Sequence, residues 1–301
     1  SSAPAGESAA PAAEGSAPVP ALLRAGSGEE DYFNRVIDIF ESQHPDIKIN
    51  RIFAPGGTEY ITKLDLMIAS GDPPAIYAPF SNRGYRYYAA RGLSQELDDF
   101  VARDNIDLNN FHPDGLKGCH WQGKLMALPL DLWPHLIFYN KTLFDEAGVE
   151  APPTDWNDKS WTTDKYLETA KALTKRDGDT VTQFGSGQYS SGWPAGWVFG
   201  SDWWPLDTYE TGIIAEFTGD TDEKTIGAVQ WVADMMLKDQ VAPTPAQTQQ
   251  LQTGAPSLFL SSKVGMNVSN IGDLSTLAGV DAFEWGTAAL PFPPDGSTRH
   301  W

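Results

Sequence analysis

The stretch LPLDLWPHLIFYNK, residues 128–141, holds two apolar runs separated by Asp131, Trp133 and Pro134. Proline cannot donate to a sheet ladder and turns the residue before it away from the helical region, so the segment reads as a strand, a kinked crossing and a second strand. A crossing of this kind carries the backbone from one lobe to another and leaves a ring, Trp133, and a carboxylate, Asp131, at the passage. Clefts at domain interfaces are where small ligands usually sit. Residues 131–135 are therefore expected to form a hinge.

The rest of the chain fits a two-lobed α/β protein. Its 301 residues are many for one hydrophobic core, and 41% apolar with 20% charged residues is ordinary for a folded chain. A formal charge of -19 argues against a nucleic-acid partner, which needs clustered Lys and Arg. No apolar run approaches the roughly 20 residues that cross a bilayer. Cys119, the single cysteine, excludes an internal disulfide and reads as a buried thiol. Eleven tryptophans are more than a core requires, so several are expected to face a ligand.

Upstream of the crossing, residues 1–21 are nearly all Ser, Ala, Pro, Gly and Glu, with too little apolar side chain to offset ordering entropy. They read as a flexible tether whose signal peptide has already been removed. Leu22, Leu23 and Ala25 suggest a strand. A helix with Phe33, Val36, Ile37 and Phe40 on one face follows, and Ile47–Phe53 suggests a second strand, the start of a parallel lobe. Thr58 is expected to cap the next helix, whose stripe is Tyr60, Ile61, Leu64, Met67 and Ile68. Ala75–Ala78 reads as a short buried strand. In a parallel sheet, loops at the carboxyl ends of strands form the ligand crevice, which brings Ser27 and Glu29 of one loop, and Phe80, Ser81, Asn82 and Arg83 of another, to one rim. Residues 121–124 suggest a hairpin turn into a strand, Leu125–Leu130.

Downstream, Asn140 is placed to cap a short helix closing at Gly148, and Thr162 or Thr163 to cap a longer one with Tyr166, Leu167, Ala170 and Leu173. Residues 183–204, QFGSGQYSSGWPAGWVFGSDWW, scatter Tyr189, Trp193 and Trp197 among glycines and serines, as the aromatic wall of a cleft does. Residues 222–238 predict an amphipathic helix with Ile226, Val229, Trp231, Val232, Met235 and Met236 on its buried stripe, and Leu258–Leu260 reads as the end of another helix. Lys263–Val268 reads as a strand returning to the first lobe, with Asn270 at its exit, and Thr287–Leu290 as a further strand.

No motif selects a catalytic pair among the 40 acidic residues, and Asp131 reads as a hydrogen-bonding carboxylate rather than a general acid. HExxH and paired CxxC are absent, and the acidic turns at 177–179 and 220–222 fall short of a twelve-residue calcium loop, so neither cofactor nor metal is expected. The turn at 26–28 lacks the Lys-Ser/Thr of a phosphate loop and opens into Glu29, Glu30 and Asp31, which repel anions. Rings for C–H faces and Asp, Asn, Ser, Glu and Arg for hydroxyls suit a sugar.

In order, FESQHPDIKI, KLDLMIASGDPPAIY, RGLSQELDDF, GKLMALPLDLWPHLIFYNKTLFDEAGV, PPTDW and SKVGMNVSNIGDL resemble the extracellular solute-binding proteins of ABC importers, of the maltose and oligosaccharide-binding type. The resemblance implies the two-lobed periplasmic-binding-protein fold (type II), with a carbohydrate held in the interlobe cleft and closure on binding. It implies an N-terminal lobe of residues 22–130 plus 264–301, a second lobe of 136–263, and no enzymatic activity. It implies ligand contacts at Phe80, Ser81, Asn82 and Arg83, at Trp133, and at Tyr189, Trp193 and Trp197. It also implies permease subunits as partners, a monomeric protein, and a lipid anchor ahead of Ser1 that holds it outside the cytoplasmic membrane. Members carry a Trp after the returning strand, in a pattern like GxW, where this chain has Asn270-Ile271-Gly272. They also continue for roughly a hundred residues of helices, about the size of a further domain core. Competing expectations are a carbohydrate-active enzyme and a receptor for another solute such as a polyamine, whose cations also stack on rings.

Overall fold

The computed structural model describes residues 17–26, 28–79, 84–187, 193–205, 208–211, 216–251, 257–293 and 295, with backbone alone at 193, 194, 209 and 210. Its contacts divide the chain into two compact units, residues 1–104 with 125–127, and 105–124 with 128–301.

The first unit is built as strand, helix, strand. β1 (Val19–Ala25) pairs in parallel with β2 (Ile49–Pro55), in the register Leu22↔Ile52, and with β3 (Ile76–Tyr77), in the register Leu22↔Tyr77. α1 (Glu29–Gln43) and α2 (Thr58–Ala69) connect them, and α3 (Gly84–Ala89) and α4 (Asp98–Asp104) follow. The alternation of β1 divides the core: Ala21 and Leu23 pack with Phe33 and Ile37 of α1, while Leu22 packs with Tyr60, Ile61 and Leu64 of α2. Tyr60 joins three segments, its hydroxyl donating to the Leu22 carbonyl at 2.8 Å and accepting from the Ala78 amide at 2.8 Å.

Several local expectations change here. The strand starts at Val19, inside the expected tether, because Pro20 at its beginning needs no ladder donor and its carbonyl accepts from the Ala75 amide. Gly57, not Thr58, is the N-cap of α2. Val36 and Phe40 stay 45% and 36% exposed, since α1 covers its sheet through Phe33 and Ile37 alone. Ile76 is half exposed, as an edge strand of two residues allows.

The second unit begins with α5 (Pro113–Gly118) and β4 (His120–Trp121). The expected hairpin turn has Gln122 and Gly123 both at positive φ, 52° and 75°, the geometry of a two-residue turn. The strand after it, β5, is only Lys124–Leu125; residues 126–134 have no regular structure, two prolines interrupting any ladder. Cys119 is buried. β6 (His135–Asn140) leads into α6 (Lys141–Ala147), capped by the Asn140 side chain and closed at Gly148 with φ 64°. Then come α7 (Thr163–Leu173), capped by Thr162, the hairpin of β7 (Lys175–Asp177) and β8 (Thr180–Ser186), α8 (Trp193–Val198), α9 (Thr208–Thr211), α10 (Glu223–Leu237) capped by Asp222, and α11 (Pro245–Leu251). Leu258–Leu260 lies in turns rather than at a helix end. β9 (Val264–Asn270), α12 (Leu274–Leu277) and β10 (Trp285–Ala288) complete the described chain.

The sheet order is β10-β6-β9-β8-β7. β9, expected to return to the first lobe, instead lies between β6 and β8: the register Ile137↔Val268 and Tyr139↔Met266 puts these side chains on one buried face with Ala288. α7 and α10 cover that face with Tyr166, Ala170, Leu173, Ala228 and Met235. Leu136 and Phe138 turn to the other face, against Phe259, Leu277 and Phe283. Residues 131–135, the expected hinge, also fall inside this unit, because His135 already pairs with Asn270 across the ladder. On α10, Met235 is buried and Trp231 packs against the core, but Ile226 and Val229 are 47% and 43% exposed, so the buried stripe is narrower than the sequence pattern.

Candidate functional site

Strand direction locates the site of the second unit. β6 runs antiparallel to β9 and β10, and β8 runs parallel to β9, so β8, β9 and β10 all run toward the edge where β6 begins at His135; Asn270 reaches it, while β10 stops at Ala288 beside Ile137 and β8 at Ser186 beside Met266. That is the edge at which α/β sheets bind ligands. The Trp161 indole fixes the exit of β10 by donating to the Ala289 carbonyl at 3.1 Å. Tyr166 and Ser186 join hydroxyls at 2.7 Å beneath the exit of β8.

Trp133 stands at this edge because Pro134 carries its backbone beside the end of β9, the Pro134 carbonyl accepting from the Ile271 amide at 3.2 Å. Its ring, 42% exposed, lies against Gly272, where an added Cβ would overlap Cζ3 of the indole. Asn270 Oδ1 accepts from the Gly272 amide at 2.8 Å, which turns the chain and leaves the amide nitrogen of Asn270 without a protein partner among the described residues. His135 faces Asn270 across the ladder, and its ring meets that of Trp197 edge to face, with centroids 5.7 Å apart at 70°. Burial holds the His135 imidazole below its usual pKa, so the ring is neutral at neutral pH. Trp197 is held in turn by Asp202, whose Oδ2 accepts from the indole Nε1 at 2.8 Å.

The sequence-derived residues divide accordingly. Trp133, Trp197 and Asn270 gather at one edge through Gly272 and His135. Asp131 is exposed two residues before Trp133. Glu29, in the first unit, makes an ion pair of 3.1 Å with the buried Arg24 at the end of β1. The pair engages Oε1, and a carboxylate keeps further acceptor sites for a hydroxyl. Ser27, Phe80, Ser81, Asn82, Arg83 and Tyr189 lie outside the described residues, and Trp193 is described by its backbone as the first residue of α8. His135, Asp202 and Gly272 were missed. His135 had a visible signal, standing between the Trp133-Pro134 pair and a buried strand; Asp202 and Gly272 had none, since their roles depend on contacts distant in sequence.

Residues 23–298 match the family model described as bacterial extracellular solute-binding protein. A Brucella abortus (strain 2308) protein named as a binding protein is 26% identical over 277 residues, covering 88% of this chain and 61% of its own. The chain thus spans about three fifths of that relative's length. The cyclic alpha-maltosyl-1,6-maltose binding protein from Arthrobacter globiformis superposes with TM-score 0.71 at 22% identity, over 93% of this chain and 68% of that one. UgpB from Mycobacterium tuberculosis, solved with glycerophosphocholine, superposes with TM-score 0.70 at 18% identity, over 95% and 68%. These likenesses carry the fold, that of the two-lobed periplasmic solute-binding proteins. The chain belongs to the family of bacterial extracellular solute-binding proteins.

Proposed function

We propose that this protein is the receptor of an ABC importer, capturing an uncharged oligosaccharide and passing it unchanged to a membrane permease. One observation carries the reading. The edge where β6 begins and β9 ends offers two indoles, Trp133 and Trp197, with the uncharged polar groups of His135 and Asn270, and no Lys or Arg among the described residues that form it. Flat rings cover the C–H faces of a sugar while the amide and imidazole serve its hydroxyls, so neither surface is desolvated without compensation. A phosphate ester would call for a cation at the same place. In this reading Ser27, Glu29, Phe80–Arg83, Asp131, Tyr189 and Trp193 complete the contacts, and a lipid anchor holds a monomeric receptor outside the cytoplasmic membrane.

The likeness to UgpB favours a second reading, a receptor for a glycerophosphodiester, against which Asp131 and Asp202 supply negative charge near the same edge. Calorimetric titration with maltotriose, mannotriose, cycloalternan and glycerophosphocholine separates the two. Saturable binding of a neutral sugar, recovered unaltered by chromatography, is the expected result. Binding of glycerophosphocholine alone, or conversion of a sugar to product, would overturn the proposal.

A further inference from the structure

Asp202 is only 7% exposed, yet both its carboxylate oxygens are used. Oδ2 accepts from the Trp197 indole Nε1 at 2.8 Å and Oδ1 from the Trp203 amide at 2.6 Å. Its backbone carbonyl accepts from Thr225 Oγ1 at 3.0 Å. Behind it, the Asp222 carboxylate that caps α10 accepts from Ser201 Oγ and from the Thr225 amide, each at 2.7 Å. The turn after α8 is thus tied to the start of α10 by buried polar groups, and the member of this network nearest the carboxyl-end edge is an indole.

A buried carboxylate is costly unless its oxygens are hydrogen-bonded, and a charged acceptor in a poorly hydrated site makes a strong, directional bond. Trp197 has only two side-chain torsions. One anchored nitrogen at the far side of the ring, together with the Cα–Cβ attachment, fixes the ring plane. The fixed ring meets His135 edge to face. A phenylalanine at 197 would fill much of the same space but give Asp202 nothing to hold.

We propose that Asp202 is a positioning residue for ligand recognition, clamping the Trp197 indole so that one orientation of the ring is presented to the solute beside His135. This rests on the reading of the edge as a sugar site. Asp202 does not itself touch the sugar; it acts by sparing the complex the entropy of ordering a large ring, which for an immobilised side chain is roughly 0.5–1.5 kcal/mol, or about two- to tenfold in affinity.

The test compares the full chain with Trp197→Phe, Asp202→Asn and the double variant, titrated calorimetrically with maltotriose, mannotriose and cycloalternan. The Trp197 indole N–H resonance, assigned by its loss in Trp197→Phe, is followed in parallel, with thermal melts to establish folding. Asp202→Asn is isosteric but loses the charge of the acceptor. It is expected to shift that resonance upfield and to weaken sugar binding about two- to tenfold. In the Trp197→Phe background the same change should cost no further affinity. Independent losses that multiply in the double variant, or wild-type affinity in Asp202→Asn alongside weakened Trp197→Phe, would overturn the positioning role. If the wild type takes up none of the three sugars, the oligosaccharide reading falls, and this role with it.

Discussion

The six-membered ring of Trp133 occupies the space that a side chain on Gly272 would fill, with Cζ3 over the glycine and Asn270 Oδ1 2.8 Å from the same point. Where the family resemblance implies a tryptophan after the returning strand, this chain has a glycine, and the ring over that position comes from the segment preceding β6. A Gly272→Ala substitution keeps an allowed backbone but must displace the Trp133 ring. We expect affinity for a bound oligosaccharide to fall about two- to tenfold while stability changes by roughly 1 kcal/mol or less, the cost of one altered rotamer. Calorimetry and a denaturant titration check both. Trp133→Ala should weaken binding at least as much.

His135 governs a pH dependence. Its folded pKa lies below the ordinary value because burial disfavours the imidazolium. The unfolded chain therefore binds more protons in the window between the lowered pKa and about 6.5, and this contribution to stability grows as pH rises through it and is lost as pH falls. Comparing unfolding at pH 5 and pH 7.5, His135→Gln should lose less stability on acidification than the wild type. An equal pH response in the two proteins would refute the assignment.

Removing one partner of the Arg24–Glu29 pair takes away a charge-assisted contact at the end of β1. Arg24 is buried, so Glu29→Gln is expected to cost about 1.5–3 kcal/mol, the range for hydrogen bonds to charged groups. Because Glu29 is 27% exposed, added salt should narrow the difference between variant and wild type. Urea unfolding at low and high ionic strength reads both effects.

Tyr166 tests the support beneath β8. Its phenol is fully buried, which pushes its pKa well up, and its hydroxyl donates to Ser186 Oγ, which donates on to the Gly187 carbonyl at 2.9 Å. Tyr166→Phe should cost about 1–3 kcal/mol by leaving a Ser186 acceptor site unsatisfied. The loss should be visible as a lower midpoint in urea with an unchanged slope.

Sequence patterns foresaw the elements whose signals are local. Asn140 and Thr162 each cap the helix that follows, and Gln122-Gly123 turns, because a cap or a tight turn is decided within about four residues. The parallel pairing of β1 with β2 followed from strand, helix and strand in succession. The faces of α1 and α10 were read too wide: an apolar residue at helical spacing is buried only if something lies opposite, and Val36, Phe40, Ile226 and Val229 depend on neighbours that local periodicity does not specify.

By itself the sequence determined the α/β class, the family resemblance and the rings available to meet a sugar, since these follow from residue type and order. Tertiary structure decided where β9 belongs and which groups stand at the end of β6. Strand order and register arise from pairings more than a hundred residues apart, such as His135 with Asn270, whose strands have the same alternating pattern wherever they insert. The closeness of Trp133 to Gly272 and of Trp197 to Asp202 depends in the same way on backbone paths and ring orientations set only once the sheet and its flanking helices have packed.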